Sequence, residues 1–252
     1  MRVNAAKQKM LAGKPAYGYG LGLGSPIAAE SLAESGIDFI LLDNQHGSFG
    51  PESTIASLMA MATTHAVPIP RVARNDYTMI GRMLDEGAMG IVVPMVHTVA
   101  DAKAAADACR FPPTGIRSWG WGRADRYGDD YSEWINDQLF VAVQIESVTA
   151  VENAEAIMAT PGVDGCWIGP SDLSLSMGLH PRHRSEDERV LKAVDQVLEA
   201  CRNTGKIAGY AADGPAQAKA YAERGFRFLT AGSDIGFMLA GASAGVDLLL
   251  KG

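Results

Sequence analysis

The chain is poor in the residues that covalent staples, thiolate metal sites and polyanion-binding faces require. Among 252 residues only three are cysteines, Cys109, Cys166 and Cys201, an odd and scattered set without a Cys-x-x-Cys spacing. A disulfide framework and a thiolate zinc site are therefore not expected, and a reducing cytoplasm is. Basic residues are outnumbered, with Lys+Arg 22 against Asp+Glu 29 and a formal net charge of -7. Nucleic-acid binders carry a basic face, so this balance argues against that class. No apolar run reaches the roughly 18 residues of a membrane-spanning helix. The N-terminal stretch MRVNAAKQKMLAGKP has no signal-peptide apolar core. Linkers, charge runs and low-complexity tracts are missing too. The expectation is an acidic, soluble, cytoplasmic protein with enough chain to bury a sizeable core.

What the sequence does have is alternation. Short apolar, β-branched runs predict strands at Ala16–Leu23, Ile37–Asp43, Val67–Val72 and Gly90–Met95 in the first half. Leu139–Glu146, Asp164–Ile168, Lys206–Ala211 and Arg227–Ala231 follow in the second. Runs such as FILLD, IVVPM and FVAVQIE are almost wholly apolar, as parallel strands covered on both faces are. Helix signals fill the intervals. Ser25-Pro26 reads as N-cap and first helical residue with Gly36 as the stop, and Asp76 opens a helix that Gly87 closes. Thr98 with Asp101, Thr149 with Glu152 and Ser185 with Glu188 have capping-box spacing, and Gly205 and Gly225 suit C-terminal caps. Eight strand–helix units, after a short N-terminal helix near Val3–Leu11, predict a single (β/α)8 TIM barrel domain over residues 1–252. An open doubly wound sheet is the second choice. Two connections are long, Phe111–Gln138 and Ser171–Arg184.

In such a barrel the active site lies at the carboxyl ends of the strands. That rule selects Asp43 and His46 after the second strand, Arg71 at the end of the third, Gln144 and Glu146 at the end of the fifth, and Ser171 and Asp172 after the sixth. Each has a plain reading. Asp43 and Asp172 suit helix caps, His46 a hydrogen-bonded loop histidine, and Arg71 a surface ion pair. Glu146 resists this, because a carboxylate closing the run FVAVQI is costly to bury unless it is paired, hydrogen-bonded or on a metal. Glu146 and Asp172 together make a hard oxygen site, which suits Mg²⁺ or Mn²⁺ better than structural zinc. A Schiff-base mechanism needs a desolvated lysine at a strand end. Lys206 begins its strand and so belongs to the opposite face, which argues against that chemistry.

Longer stretches resemble the HpcH/HpaI family of class II pyruvate aldolases. They are Gly36–Asp43, His46, Arg71 with Asn75-Asp76, Leu84-Asp85-Glu86-Gly87 and Val93-Pro94-Met95-Val96. Phe111–Arg117, Val143–Glu146, Gly162–Gly165 and above all Ile168-Gly169-Pro170-Ser171-Asp172-Leu173-Ser174 continue the match along nearly the whole chain. The resemblance implies a barrel in which Glu146 and Asp172 hold a divalent cation, Mg²⁺ or Mn²⁺ with Co²⁺ as a further candidate. It implies that a 2-oxo acid chelates the cation, and that amides around Ser171 and Asp172 hold the substrate carboxylate. By the same resemblance Arg71 binds the keto oxygen, His46 oriented by Asp43 is the acid/base partner, and Gln144 supports the metal. A homohexamer is implied, with Asp85 reaching a neighbouring subunit's site. The chain departs from the family pattern at Gln45, where a glutamate is usual, in the first strand Gly18-Tyr19-Gly20-Leu21-Gly22, which has glycine in place of a tryptophan, and at Ala211 for a bulkier aliphatic residue. The loop Arg117–Trp134, with Trp119, Trp121, Arg123, Arg126 and Tyr127, departs as well. These last three departures are expected on the acceptor side or pocket wall.

The activity expected is reversible cleavage of a 4-hydroxy-2-oxo acid to pyruvate, or a close analogue, and an aldehyde. Oxaloacetate-type decarboxylation or citrate-lyase-like cleavage would use the same site. A phosphate-binding barrel isomerase is weaker, because Asp213 and Asp234 put negative charge where barrels often hold phosphate. A non-catalytic binding protein is weaker still, given Glu146, Asp172, Arg71 and His46.

Overall fold

In the computed structural model, which describes residues 1–181 and 187–250, eight parallel strands close on themselves. They are β1 Ala16–Leu21, β2 Phe39–Leu42, β3 Val67–Pro68, β4 Gly90–Val93, β5 Phe140–Ile145, β6 Gly165–Ile168, β7 Gly209–Ala211 and β8 Phe228–Ser233. The helices before the long fourth connection are α1 Ala5–Leu11, α2 Pro26–Ala33, α3 Pro51–Ala60, α4 Tyr77–Asp85 and α5 Val99–Cys109. After them come α6 Tyr131–Gln138, α7 Val148–Glu152, α8 Ala154–Met158, α9 Pro170–Ser176, α10 Glu188–Thr204, α11 Pro215–Arg224 and α12 Asp234–Leu250. The sheet order β3-β2-β1-β8-β7-β6-β5-β4 is the wound order of a (β/α)8 barrel.

Strands β1 to β7 are shorter than their apolar runs, most of all β3, whereas β8 runs two residues beyond the expected end at Ala231. Pro68 and Pro70 have no N–H, so toward β4 they offer only carbonyls, which accept from Met89 and Val92. Ile69 and Arg71, facing the other way, donate normally to Ile40 and Leu42 of β2. An isolated Arg71–Val92 bridge completes the seam between β3 and β4. The expected barrel is the observed fold, and the open sheet is not.

The barrel interior is packed with aromatic rings at its lower end. Phe228 stacks on Phe39 at 4.5 Å and meets Phe140 edge-on at 4.9 Å. Gly18 of β1 makes room for them, since a Cβ there would lie 2.3 Å from the Phe39 ring. The N-terminal helix α1 covers this end. Buried Asn4 caps α1 and donates to the carbonyls of Met89 and Gln138, and Lys7 donates to that of Leu139 and pairs with Asp164 at 3.1 Å. Lys206 also lies at this end, bonded to the Val163 carbonyl, as its strand position predicts.

The helix signals fare unevenly. Ser25, Asp76 and Thr98 cap α2, α4 and α5, and Gly205 and Gly225 terminate α10 and α11 in the left-handed conformation. Thr149 is not a cap. Ser147 takes that place on α7, because it follows β5 directly in an extended conformation and its hydroxyl reaches the Ala150 amide. Ser185 lies outside the described residues, and Asp187 caps α10. The helix before Gly36 ends earlier, with Glu34 as its cap. The three cysteines are free and buried. Among the described residues no helix is long and apolar enough to cross a membrane. The most unusual element is α12: only its first residue, Asp234, is buried, although the helix is rich in apolar side chains.

Candidate active site

The carboxyl ends of the strands surround a cavity of about 500 Å³. Asp43 and Arg71 form its charged floor with Trp167, and Gly20 and Ala211 line its wall. The two small residues therefore widen the pocket where bulkier side chains would fill it.

Arg71 ends the β3 segment and is 7% exposed. Its Nε donates to Asp43 Oδ1 at 2.9 Å and one terminal nitrogen to Oδ2 at 2.5 Å, a bidentate pair. The other terminal nitrogen donates to Gln144 Oε1 at 3.3 Å. With five N–H groups on a guanidinium, two remain for a ligand. The Trp167 ring lies 5.3 Å from the guanidinium carbon, close enough for a cation–π contact. Burial pushes the Asp43 carboxyl up, but the Arg71 hydrogen bonds and charge, with the amides of His46 and Gln45, hold it below its ordinary value.

Gln144, 1% exposed, connects this pair to a second centre by donating through Nε2 to Glu146 Oε2. Glu146 is 2% exposed, and the amide of Met95 donates to its other oxygen at 2.8 Å. Burial pushes its pKa up to about 7; the Met95 amide and the charge of Arg71 oppose this, while the Asp172 carboxylate beside it adds to it. Asp172 lies in the first turn of α9, after Ser171. Neither carboxylate has an ion-pair partner among the described residues. Gly169 leaves room for the Gln144–Glu146 contact, since a Cβ there would lie 2.6 Å from Gln144 Nε2 and 2.8 Å from Glu146 Oε2.

Two converging carboxylates, one of them buried and pushed toward neutrality, lack the positive charge that would keep both ionised. This is the environment a divalent cation satisfies, and the donor set is all oxygen. No cluster of three or more His, Cys, Asp or Glu side chains exists among the described residues. Glu146 and Asp172 would be the whole protein contribution, leaving other positions to water and to substrate oxygens.

The structure brings Asp43, Arg71, Gln144, Glu146 and Asp172 together, with Ser171 beside them. His46 is placed differently from the expectation. Asp43 accepts from its main-chain amide at 3.1 Å, while the ring is exposed and makes no hydrogen bond with a described residue. Arg71 has taken the carboxylate that would have oriented the imidazole. Asp85 lies at the end of α4 and pairs with Arg117 at 2.8 Å, away from the mouth of its own barrel. The loop with Trp119, Trp121, Arg123 and Arg126 does not line the mouth cavity; it packs on α4 through Tyr77, Asp85 and Gly87.

Two features were not foreseen. Met95 has φ 56, the only positive value at a described non-glycine residue, and this conformation aims its amide at Glu146. Such a conformation costs of order 1–3 kcal/mol and persists where surroundings impose it. The second is a pair of buried polar atoms without a partner, Gln45 Oε1 and Trp167 Nε1. Trp167 itself lines the cavity wall, with its indole nitrogen buried. On the opposite side, the buried Asp234 carboxylate accepts from the amides of Gly22 and Leu23. The protein's own anion thus fills a seat that a phosphate-binding barrel would leave for its ligand.

The family described as HpcH/HpaI aldolase/citrate lyase matches residues 20–240. The chain is 36% identical to the 4-hydroxy-2-oxo-heptane-1,7-dioate aldolase of Salmonella newport, over 99% of this chain and 97% of that protein. It is 38% identical to the hydroxypyruvate/pyruvate aldolase of Chromohalobacter salexigens, over 90% of this chain and 91% of that one. A crystal structure of a family protein from Burkholderia cenocepacia superposes with a TM-score of 0.91 at 34% identity, over 98% of this chain and 99% of that one. A barrel with paired carboxylates at its mouth, matched along almost its whole length, belongs to the HpcH/HpaI aldolase/citrate lyase family of carbon–carbon lyases.

Proposed function

We propose that the chain is a class II aldolase that reversibly cleaves a 4-hydroxy-2-oxo acid to pyruvate, or a close 2-oxo acid, and an aldehyde. The carrying observation is the hydrogen-bonded series Asp43–Arg71–Gln144–Glu146, which joins a guanidinium to a buried carboxylate pair at one mouth. Full-length aldolase relatives support the same reading. A divalent cation, Mg²⁺ or Mn²⁺ with Co²⁺ as a further candidate, would be held by Glu146 and Asp172 and would supply positive charge to polarise the 2-oxo group.

The remaining steps belong to side chains and amides. The first-turn amides at Ser171 and Asp172 have no intrahelical acceptor and face the substrate carboxylate in this reading. Cleavage breaks the C3–C4 bond, and its electron pair becomes the enolate of the 2-oxo acid. The two free N–H groups of Arg71 stabilise the oxygen where that charge grows. Asp43 fixes the plane of the guanidinium, and Gln144 orders both Arg71 and Glu146. His46, exposed at the mouth, accepts the proton from the C4 hydroxyl and returns it in synthesis. In the reverse direction the wide wall at Gly20 and Ala211 admits the aldehyde.

The reading includes assembly into a homo-oligomer, a hexamer by family resemblance, with Asp85 directed to a neighbour. The exposed apolar surface of α12 supports self-association. The test is to follow the pyruvate methyl signal by NMR in D₂O, with and without a chelator. Metal-dependent deuterium exchange is expected; exchange that survives complete metal removal, or none in either sample, would sink the mechanism.

A further inference from the structure

A second cavity, of about 440 Å³, lies away from the mouth, between the N-terminal segment, the end of α4 and the short turn Arg123–Tyr127. Arg2, Arg123 and Arg126 line it with Tyr127, and Glu86 is the one carboxylate in its wall. None of the three guanidinium groups forms an ion pair with a described residue. Arg123 Nε is buried and has no acceptor. Arg2 lies over the Tyr127 ring at 5.1 Å and donates to its hydroxyl at 3.0 Å, and that hydroxyl donates to the Gly87 carbonyl at 2.7 Å. Burial pushes the Tyr127 hydroxyl up, while the charges of Arg2 and Arg123 pull it down, so both cations act on the same corner of the cavity.

Three cations around one concavity repel one another, and the low-dielectric wall concentrates their field. In a chain of net charge -7, this gathering runs against the average surface. A buried donor without a partner adds its own desolvation cost. The repulsion is relieved when an oxyanion enters, because the guanidinium fork matches carboxylate and phosphate oxygens in pairs. We propose that this cavity binds a compact multivalent oxyanion, a phosphoryl group or a small polycarboxylate, between Arg2, Arg123 and Arg126. The bound anion ties the N-terminal segment to the loop that packs on Asp85, where a Cβ at Gly122 would lie 2.4 Å from the Asp85 carbonyl.

Calorimetry and thermal melting of the full chain at low ionic strength test this, with inorganic phosphate and succinate as separate titrants and sodium chloride as the ionic control. Saturable binding with a rise in Tm is expected for at least one titrant, and the tighter one identifies the group as phosphoryl or carboxylate. Arg71→Ala, which alters the mouth, leaves this binding in place. Arg126→Gln and, separately, Arg2→Gln weaken it about tenfold or more. Arg126 is exposed, and Arg2 precedes the first helix and gives up only its contact with Tyr127, so a melting curve of each variant separates lost binding from lost folding. No saturable binding of either anion, or binding that is lost in Arg71→Ala or unchanged in both arginine variants, overturns the proposal.

Discussion

Arg71 and Asp43 meet edge to edge at the barrel mouth, with both contact oxygens of the carboxylate engaged by the guanidinium fork at 2.9 and 2.5 Å. The pair sets the plane of the guanidinium, and Arg71 lines the cavity with two N–H groups left over. Arg71→Lys keeps the charge and loses the fork, so it is not a conservative change here. We expect kcat for retro-aldol cleavage to fall roughly 10²–10³-fold, the scale for removing an oxyanion donor. Steady-state kinetics with a 4-hydroxy-2-oxo acid check this, and full activity in the lysine variant would remove the bidentate geometry from the mechanism.

The same pair makes stability depend on acid. Asp43 is held below its ordinary pKa in the folded chain, chiefly by Arg71 acting against burial. A carboxyl depressed on folding binds fewer protons in the native state, so its contribution is complete above the unfolded value of about 3.9. It is lost as pH falls below that value and through the folded pKa. Asp43→Asn lacks this titration. The Tm difference between wild type and variant should be largest at neutral pH and shrink below about pH 4. A difference that stays constant from pH 7 to pH 3 would contradict the assignment.

The strands FILL and FVAVQI could be read because both their faces are covered, which forces near-continuous apolar runs. The candidate residues could be read because topology assigns strand ends to one mouth. Which partner each would choose could not. Asp43 is three residues from His46 in sequence, yet its side chain is taken by Arg71, 28 positions away on the next strand. Met95 carries no local signal for a left-handed backbone; its conformation answers to Glu146, 51 positions on. The apolar composition of α12 reads as an ordinary covering helix, and nothing local to it reveals that the chain leaves it uncovered. Long-range competition for a single partner is what sequence periodicity does not encode.

Gly169 separates the metal-site reading from a merely structural carboxylate pair. Its missing side chain leaves space that Gln144 and Glu146 use, and a methyl group there must displace one of them. Gly169→Ala should therefore lower Mn²⁺ affinity at least tenfold, within the range known for disturbed outer ligands. Its φ of -95° is open to alanine, so the backbone itself is not strained. Mn²⁺ titration by electron paramagnetic resonance, with circular dichroism to verify folding, gives the answer. A folded variant with wild-type Mn²⁺ affinity would mean that Glu146 does not hold the cation.

The helix α12 presents Ile235, Met238, Leu239, Val246, Leu248, Leu249 and Leu250 to solvent along 17 residues. Phe237 meets Tyr19 of the barrel edge-on at 4.7 Å. A helix apolar on every side belongs in an interior, and burying side chains of this size stabilises by about 1.5–3 kcal/mol each. Water is therefore the wrong neighbour for this surface, and in the proposed assembly a second copy of the chain would cover it. Replacing Leu239 and Val246 with glutamate places charges in that contact, where each is costly to bury without a partner. Sedimentation velocity should show the wild type as an oligomer and the double variant shifted to smaller species, with a lower Tm. A wild type that sediments as a monomer, or a double variant of unchanged size and stability, would show that α12 is not what holds the copies together.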